Sequence, residues 1–186
     1  MAILGSVGLR SDPLLAHNFL ITLVDSSSSL TLKSASSAIA DIALGGFSEC
    51  SGLETTLDVE EYREGGRNGE VLQFPTRVRW SKLTLKKGMG AGTDLWDWHY
   101  GFVVGQGKRR DGVIALMNEL QLPSHIWYFR RGLPTRYSGP SLNAAQSAVA
   151  IETIEIAHEG LFQIPGIGFG GAALSAAAGF ATKLGL

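Results

Sequence analysis

Residues 46–64 read GFSECSGLETTLDVEEYRE, a run with the composition of a β-strand. The run contains threonine, valine and tyrosine but no proline, and the paired glycines Gly65 and Gly66 follow it. β-Branched and aromatic residues favour strands, and glycine adopts positive φ without steric cost. The pattern therefore predicts one long or bulged strand pair over 46–64, with a positive-φ turn at 64–68.

Shorter runs with strand character lie on both sides of this segment. Residues 16–25 (AHNFLITLVD) alternate, so Phe19, Ile21 and Leu23 are expected to share the buried face of a strand. Another strand is predicted at 77–87, and further strands are predicted at 112–119, 124–130 and 148–158. Short strands separated by turns favour a small antiparallel β-barrel or sandwich.

One helix is predicted after the glycine-rich residues 88–92. Thr93 is a suitable N-cap residue, and the apolar positions that follow have helical spacing. The residues on this one face are Leu95, Trp98, His99 and Phe102. The fold class is therefore mainly β with one flanking helix.

The composition is unusually poor in charge for a free domain of 186 residues. Charged residues make up 18% of the chain and the formal net charge is −1, whereas about 25% is usual for soluble proteins. Such an apolar surface indicates contact with other subunits or with a membrane. The balanced charge argues against a specific nucleic-acid partner, because nucleic-acid binding requires a basic face.

Sites for catalysis, metals and cofactors are poorly supported by the residue pattern. Cys50 is the only cysteine, which excludes a disulfide framework, and we interpret it as a small buried hydrophobe rather than a nucleophile. Glu60 and Glu61 point to opposite faces of a strand and cannot form one acid–base pair. The four histidines lack metal-ligand spacing. The prediction is no enzyme activity, no cofactor and no metal.

An aromatic and basic run at 127–131 offers two interpretations. The sequence WYFRR could stack nucleic-acid bases. Because the net charge is close to zero, a strand that buries Trp127 and Phe129 is the better interpretation.

Two segments differ from the rest of the chain. Residues 26–44 form a serine-rich insert, and residues 163–186 form a glycine- and alanine-rich extension beyond a domain of residues 1–162.

The extension allows several interpretations. Gly166, Gly168 and Gly171 match a dinucleotide fingerprint, but no acidic residue follows them. Residues 164–182 carry no charge, yet five glycines and a proline argue against a stable membrane-spanning helix. A docking arm or a disordered tail remain as interpretations.

Several segments, taken in order, resemble the inner-tube proteins of contractile injection systems, a phage-tail-like family that includes contractile-phage tail tubes. The resemblance covers about residues 12–162. Its motifs are GFSECSGL at 46–53, EYREGGRN at 61–68, WSKLTLKKG at 80–88, LWDW at 95–98 and AIETIEIAHEGL at 150–161.

The resemblance implies a structural protein that forms assemblies. Implied are a β-barrel of two packed sheets with a flanking helix, rings of six copies, and stacking of these rings into a hollow tube inside a sheath. The implied partners are further copies of the chain, a sheath protein, baseplate or spike proteins, a tube-initiator protein and protein cargo in the lumen. We expect synthesis and assembly in the cytoplasm, as part of a contractile particle that can be released from the cell.

The family motifs supply the candidate assembly residues. They are Glu64, Gly65, Gly66, Asn68, Trp80, Leu85, Gly88, Trp96, Trp98, Glu159 and Gly160. The hairpin around residues 64–66 is expected to extend beyond its own barrel and bridge neighbouring strands, which removes exposed sheet edges. We interpret the three tryptophans as anchors of the helix on the barrel, with a direct subunit contact as the alternative.

Other functions stay open at this point. A baseplate-proximal initiator or specialised ring, or a contractile-phage tail tube, has the same resemblance. A small β-barrel binding module, or an enzyme that uses Cys50, is the alternative from a different class.

Overall fold

The computed structural model of the chain describes residues 15–25, 46–66 and 69–165. The serine-rich insert, Asn68, the fingerprint glycines and most of the C-terminal extension therefore lie outside the described residues.

The described residues form nine strands and one helix. The strands are β1 (Phe19–Asp25), β2 (Phe47–Ser51), β3 (Thr55–Tyr62), β4 (Leu72–Trp80), β5 (Leu83–Gly88), β6 (Arg110–Met117), β7 (Pro123–Ser138), β8 (Ile151–Ala157) and β9 (Gly160–Pro165), and the helix α1 spans Asp94–Val103.

The strands form two layers that share β7. Its first half pairs with β6 and β9, and β6 continues the layer to β1. Its second half pairs with β8, and the order then runs through β5 to β2. All of these pairs are antiparallel. The predicted mainly β fold of two packed sheets with one helix is therefore confirmed.

One hydrophobic core lies between the two layers. The first layer supplies Ile21, Leu23, Ile114 and Phe129, and the second supplies Leu83, Leu85, Ile154 and Ile156. Phe129 is fully buried, and Trp127 packs against the same core from a partly buried position. The interpretation of 127–131 as a strand that buries these two rings is thus confirmed.

The predictions for the first strand and the helix are confirmed as well. Ile21 and Leu23 are buried and Phe19 packs against them. In α1, Leu95 and Trp98 are buried on the face predicted from the spacing. Thr93 precedes the helix, but its hydroxyl donates to the Asp97 carboxylate at 2.6 Å rather than capping a backbone N–H.

Two strand predictions are wrong. The two strands within residues 46–64 do not pair with each other, and residues 77–87 are divided between β4 and β5 instead of forming one strand. β2 pairs with β5, whereas β3 pairs with β4 in a separate two-stranded sheet. The break falls at Gly52, which has φ +89°, and a Cβ there would overlap the carbonyl group of Lys82. The chain thus forms one long ribbon with a kink, which a local strand pattern cannot show.

A buried carboxylate stabilises the bend where β7 passes between the layers. Arg131 has φ +50°, which is uncommon for a residue with a side chain. Its N–H donates to Oδ1 of Asp111 at 2.7 Å, and the Tyr128 hydroxyl donates to Oδ2 at 2.8 Å. Asp111 therefore holds the bend that brings the second layer over the first.

Candidate assembly surface

The β3–β4 hairpin has one apolar face. Directly paired residues of an antiparallel ladder lie on the same side of the sheet, so Leu57 with Val78 and Val59 with Pro75 form one face. Leu57, Val59 and Val78 are 53%, 54% and 51% exposed. A contiguous exposed apolar surface of this kind marks an interaction site.

The opposite face of the hairpin is charged toward its base, whereas toward the tip it carries the exposed rings of Tyr62 and Phe74. It carries Asp58 paired with Arg77, and Thr56 paired with Arg79. The Arg79 Nε donates to the Asp58 carboxylate at 2.6 Å. Exposed ion pairs contribute at most about 1 kcal/mol, so this pair adds little to the stability of the hairpin.

The hairpin gains no third strand from the described residues of its own chain, where β3 and β4 form a sheet of two strands. An isolated two-stranded hairpin is at best marginally stable in water. The apolar face and the two open strand edges therefore need a covering partner.

Three of the family-motif residues lie at the described part of the hairpin tip. Glu64, Gly65 and Gly66 are exposed, whereas Asn68 lies outside the described residues. Gly66 has φ +91°. Gly65 does not share this conformation, so among the described tip residues the positive φ lies at Gly66.

This difference gives a test with a matched control. A Cβ at either glycine would meet nothing within 4 Å, so valine fits sterically at both positions. At Gly66 the backbone would be strained by about 1–3 kcal/mol. We expect Gly66→Val to raise the protein concentration needed for self-assembly about tenfold and Gly65→Val to leave it nearly unchanged, measured by sedimentation velocity. Equal behaviour of the two variants would contradict a role for the tip conformation.

The base of the hairpin is packed against the core. The His158 ring lies 6.1 Å from the ring of Trp80, the last residue of β4, and 6.1 Å from the ring of Phe129. Burial lowers the pKa of His158, although the backbone at Ser81 and Gly160 acts in the opposite direction. The His158 ring therefore joins the hairpin base to the centre of the core.

The three family-motif tryptophans lie in different surroundings. Trp98 is 4% exposed, and its indole N–H donates to the Lys108 carbonyl at 2.9 Å. Trp96 is 45% exposed and stacks on Tyr100. The burial of Trp98 supports its interpretation as a helix anchor. The ring of Trp96 meets Tyr137 of β7 edge to face, with ring centres 5.2 Å apart, so it also joins α1 to the sheet. Trp80 ends β4 in the separate hairpin sheet, where its ring contacts His158.

The remaining motif residues act within the protomer. Leu85 is fully buried in the core, and Gly88 ends β5 beside Val149. The Glu159 carboxylate accepts from the Arg109 side chain at 2.9 Å and pairs with Arg131 at 3.1 Å.

Gly160 follows this ion-pair cluster directly. A Cβ at Gly160 would come within 3.1 Å of the Phe162 ring. Residues 159 and 160 therefore join the start of β9 to the bend of β7. The sequence contained no signal for the two arginine partners.

Cys50 lies on β2 and packs against the core from a partly buried position. Burial, with a smaller effect from the Glu49 carboxylate, raises the pKa of its thiol to about 11. Nucleophilic attack requires the thiolate. The surroundings of Cys50 therefore oppose the role of a catalytic nucleophile.

The raised pKa predicts a low thiol reactivity. At pH 8 we expect a disulfide reagent to modify Cys50 at least about 100-fold more slowly in the native than in the urea-unfolded protein, because a pKa increase of two units lowers the thiolate fraction 100-fold. The native rate should keep rising up to about pH 11 instead of levelling off near the ordinary thiol pKa. A native rate equal to the unfolded rate at pH 8 would reopen the nucleophile hypothesis.

The other chemical candidates are dispersed. Glu60 and Glu61 are both exposed on β3 and belong to opposite faces. Within the described residues, no three histidine, cysteine or acidic side chains come close enough to hold a metal ion. Among the same residues, no helix has the length and apolar character to cross a membrane.

The sequence matches a family of tail tube proteins. The family model described as T4-like virus tail tube protein gp19 matches residues 17–162. No match is found among the curated proteins.

Three solved structures contain similar chains. One belongs to the baseplate of the anti-feeding prophage, is 26% identical, covers 83% of this chain and 97% of its own, and has a TM-score of 0.69. One from the sheath-tube complex of PVC, an extracellular contractile injection system in the extended state, is 22% identical, with coverages of 84% and 94% and a TM-score of 0.68. One from the tube terminating cap of the anti-feeding prophage is 23% identical, with coverages of 89% and 99% and a TM-score of 0.71.

Proposed function

The chain belongs to the T4-like virus tail tube protein gp19 family, and from this premise we propose that six copies close into a ring and that these rings stack into a hollow tube. The protein is a structural tube protein of the contractile, phage-tail-like type and not an enzyme. In the proposed particle, the tube lies inside a contractile sheath and is driven through a target envelope when the sheath contracts.

The apolar face of the β3–β4 hairpin carries this proposal. In the proposed ring, the hairpin of one copy packs on the sandwich of the next copy. The two contacting surfaces are then different, so the contact is heterologous. Heterologous contacts form closed rings when the rotation between copies closes. Contact of the hairpin with a neighbouring sandwich would also cover open strand edges, which are otherwise sites of uncontrolled association.

The tip residues would act at this contact. We propose that Glu64, Gly65, Gly66 and Asn68 position the hairpin on the neighbouring copy, while the buried motif residues keep each protomer in the shape that the ring requires. We further propose that residues 1–162 supply the tube domain and that residues 163–186 are an extension of it, whose first three residues complete β9.

Other components of the particle are the remaining proposed partners. The PVC relative is part of a sheath-tube complex, which supports a sheath protein as the outer partner. We also propose baseplate, spike and initiator proteins at the tube end, and protein cargo in the lumen. A formal net charge of −1 supports a tube without a specific nucleic-acid partner. Synthesis and assembly would take place in the cytoplasm, before the particle acts outside the cell.

A specialised ring at one end of the tube is the second candidate. The similar chains from the baseplate and from the terminating cap have TM-scores of 0.69 and 0.71, close to the value for the PVC chain. Copy number distinguishes the two functions. Quantitative mass spectrometry of purified particles should find many copies per particle for the main tube and one ring's worth for a terminal ring.

Electron microscopy of the purified protein tests the proposed function. Negative staining should show rings or stacked tubes, and sedimentation velocity should show a species of about six protomers. A protein that stays monomeric up to millimolar concentration and binds a small ligand would instead support the β-barrel binding module.

A further inference from the structure

Three exposed leucines lie at one end of the sandwich. Leu120 and Leu122 lie in the turn between β6 and β7 and are 76% and 48% exposed, and Leu15 just before β1 is 57% exposed. The backbone of the β1 side joins this turn, because the Met117 N–H donates to the Asn18 carbonyl at 2.8 Å. We call these three residues and the turn 118–122 the leucine end.

The turn that presents Leu120 and Leu122 is held in one conformation. The backbone N–H groups of both leucines donate to Oδ1 of Asn118, each at 2.9 Å. Gln121 between them has φ +59°, a conformation that side-chain-bearing residues seldom adopt without compensation. The Asn18 amide also donates to the Asn118 carbonyl at 3.2 Å. An ordered and partly strained turn that displays two leucines to water has the character of a contact surface.

The last strand, β9, ends at Pro165 beside the leucine end, and the rest of the C-terminal extension follows it. β9 pairs with β7 so that Pro165 lies opposite His125, three residues after Leu122 in the chain. Residues 166–186 contain a single charged residue, Lys183. Their larger side chains are all apolar apart from this lysine: Ile167, Phe169, Leu174, Phe180, Leu184 and Leu186.

We propose that residues 166–186 bind to the leucine end of their own chain. Phe169 is the first aromatic residue of the extension, and four residues can span up to about 14 Å. Three residues of strand between His125 and Leu122 correspond to about 10 Å, so Phe169 can reach the leucines without unpairing β9. A binding segment tethered this close has a very high effective concentration at its site.

Two other segments are chemically suited to cover the leucine end, and the test distinguishes each of them from the extension. Residues 1–14 lead into Leu15, but they carry the charged residues Arg10 and Asp12. A second copy of the chain could also cover the leucines during ring stacking. The tethered, nearly uncharged extension is favoured because it adds apolar contact with little loss of chain freedom.

Disulfide trapping in the full-length chain tests the proposal. Leu120→Cys combined with Phe169→Cys should form an intrachain disulfide at least about tenfold faster than a control pair. The control is Leu57→Cys with Phe169→Cys. Leu57 is also half-exposed but lies on the hairpin, whose base packs at the other end of the first layer. Burial raises the pKa of native Cys50 to about 11, which slows its disulfide exchange, and mass spectrometry identifies any bond that includes it.

The location of the disulfide decides between the occupants. Mass spectrometry after non-reducing digestion shows whether the bond lies within one chain or between two. A bond between two chains, or equal rates for the two pairs, overturns the proposal. This measurement does not require rings or tubes. The proposed binding of the extension can therefore be overturned while the proposed tube function stands, and the tube function can be overturned while the binding of the extension stands.

Hydrogen exchange gives a second measurement on the full chain. Ile167→Lys with Phe169→Lys should make the amides of Leu120 and Leu122 exchange about tenfold faster, because their side chains lose the cover that shields the turn. Ile3→Lys with Leu4→Lys should leave these amides unchanged. Faster exchange in the N-terminal variant alone would show that residues 1–14 cover the leucine end and would overturn the proposal.

Discussion

Val59→Lys is expected to keep the protein monomeric at concentrations where the unchanged protein should form the proposed rings. Val59 lies at the centre of the apolar face of the hairpin, and 54% of it is exposed in the single chain. In the ring, the lysine would be buried without a partner, which costs about 3 kcal/mol or more. The concentration for half assembly should therefore rise more than about 100-fold, measured by sedimentation velocity and negative staining. The melting temperature should stay the same, because Val59 is outside the core.

The opposite face of the same hairpin supplies the matched control. Thr56→Lys adds the same charge beside Arg79, on the face that already carries the Asp58–Arg79 ion pair. We expect this variant to assemble almost normally. If both variants fail, the neighbouring copy covers both faces. If both assemble, the hairpin does not form the ring contact and the proposed assembly surface is wrong.

Phe129→Ala is expected to have the largest effect on the stability of the protomer. Its ring is fully buried and lies against two glycines, since a Cβ at Gly112 or Gly132 would overlap it. Loss of a buried phenylalanine costs about 3–5 kcal/mol, a large part of the total stability of a domain. Urea unfolding should show a correspondingly lower midpoint at an unchanged slope.

The hairpin again provides the comparison. Phe74 is 51% exposed and contacts Tyr62 edge to face at 6.3 Å between ring centres. Phe74→Ala should lower the free energy of unfolding by less than about 1 kcal/mol. A similar loss in both variants would contradict the separation between the core of the sandwich and the assembly hairpin.

These two experiments separate two properties that contribute differently to the tube. The sandwich supplies a stable protomer through Phe129 and its neighbours, whereas the hairpin supplies an apolar surface that is unsatisfied in the single chain. Gly52 and the neighbouring rings of Trp80 and His158 join the two parts. A fixed hairpin direction is useful for ring closure, because each copy must present the same angle to the next.

The buried faces of single elements could be predicted from sequence. Alternation placed Ile21 and Leu23 in the core, and helical spacing placed Leu95 and Trp98 on the inner face of α1. These patterns are local, because side-chain direction repeats every two residues in a strand and every 3.6 in a helix. The side chains that share one face of an element are therefore the same whichever distant strand packs beside it.

Strand pairing could not be obtained in the same way. The kink at Gly52, where the chain leaves one sheet and enters another, depends on the close approach of the Lys82 carbonyl group. The apolar face of the hairpin became visible only when Leu57 was aligned with Val78, because either strand alone shows an ambiguous mixture of polar and apolar residues. The partners of Glu159 next to β6 and on β7 were likewise hidden by their distance along the chain.

The low charge of the chain by itself indicated contact with other subunits or with a membrane, since water seldom meets so apolar a surface. Sequence patterns alone established the kind of elements, their inner faces and the family. The tertiary structure decided which surface is left uncovered, at the hairpin and at the leucine end. The physical reason is that exposure is a property of the packed arrangement: a valine is buried or free according to the strands that reach it, and residues far apart in sequence bring those strands together.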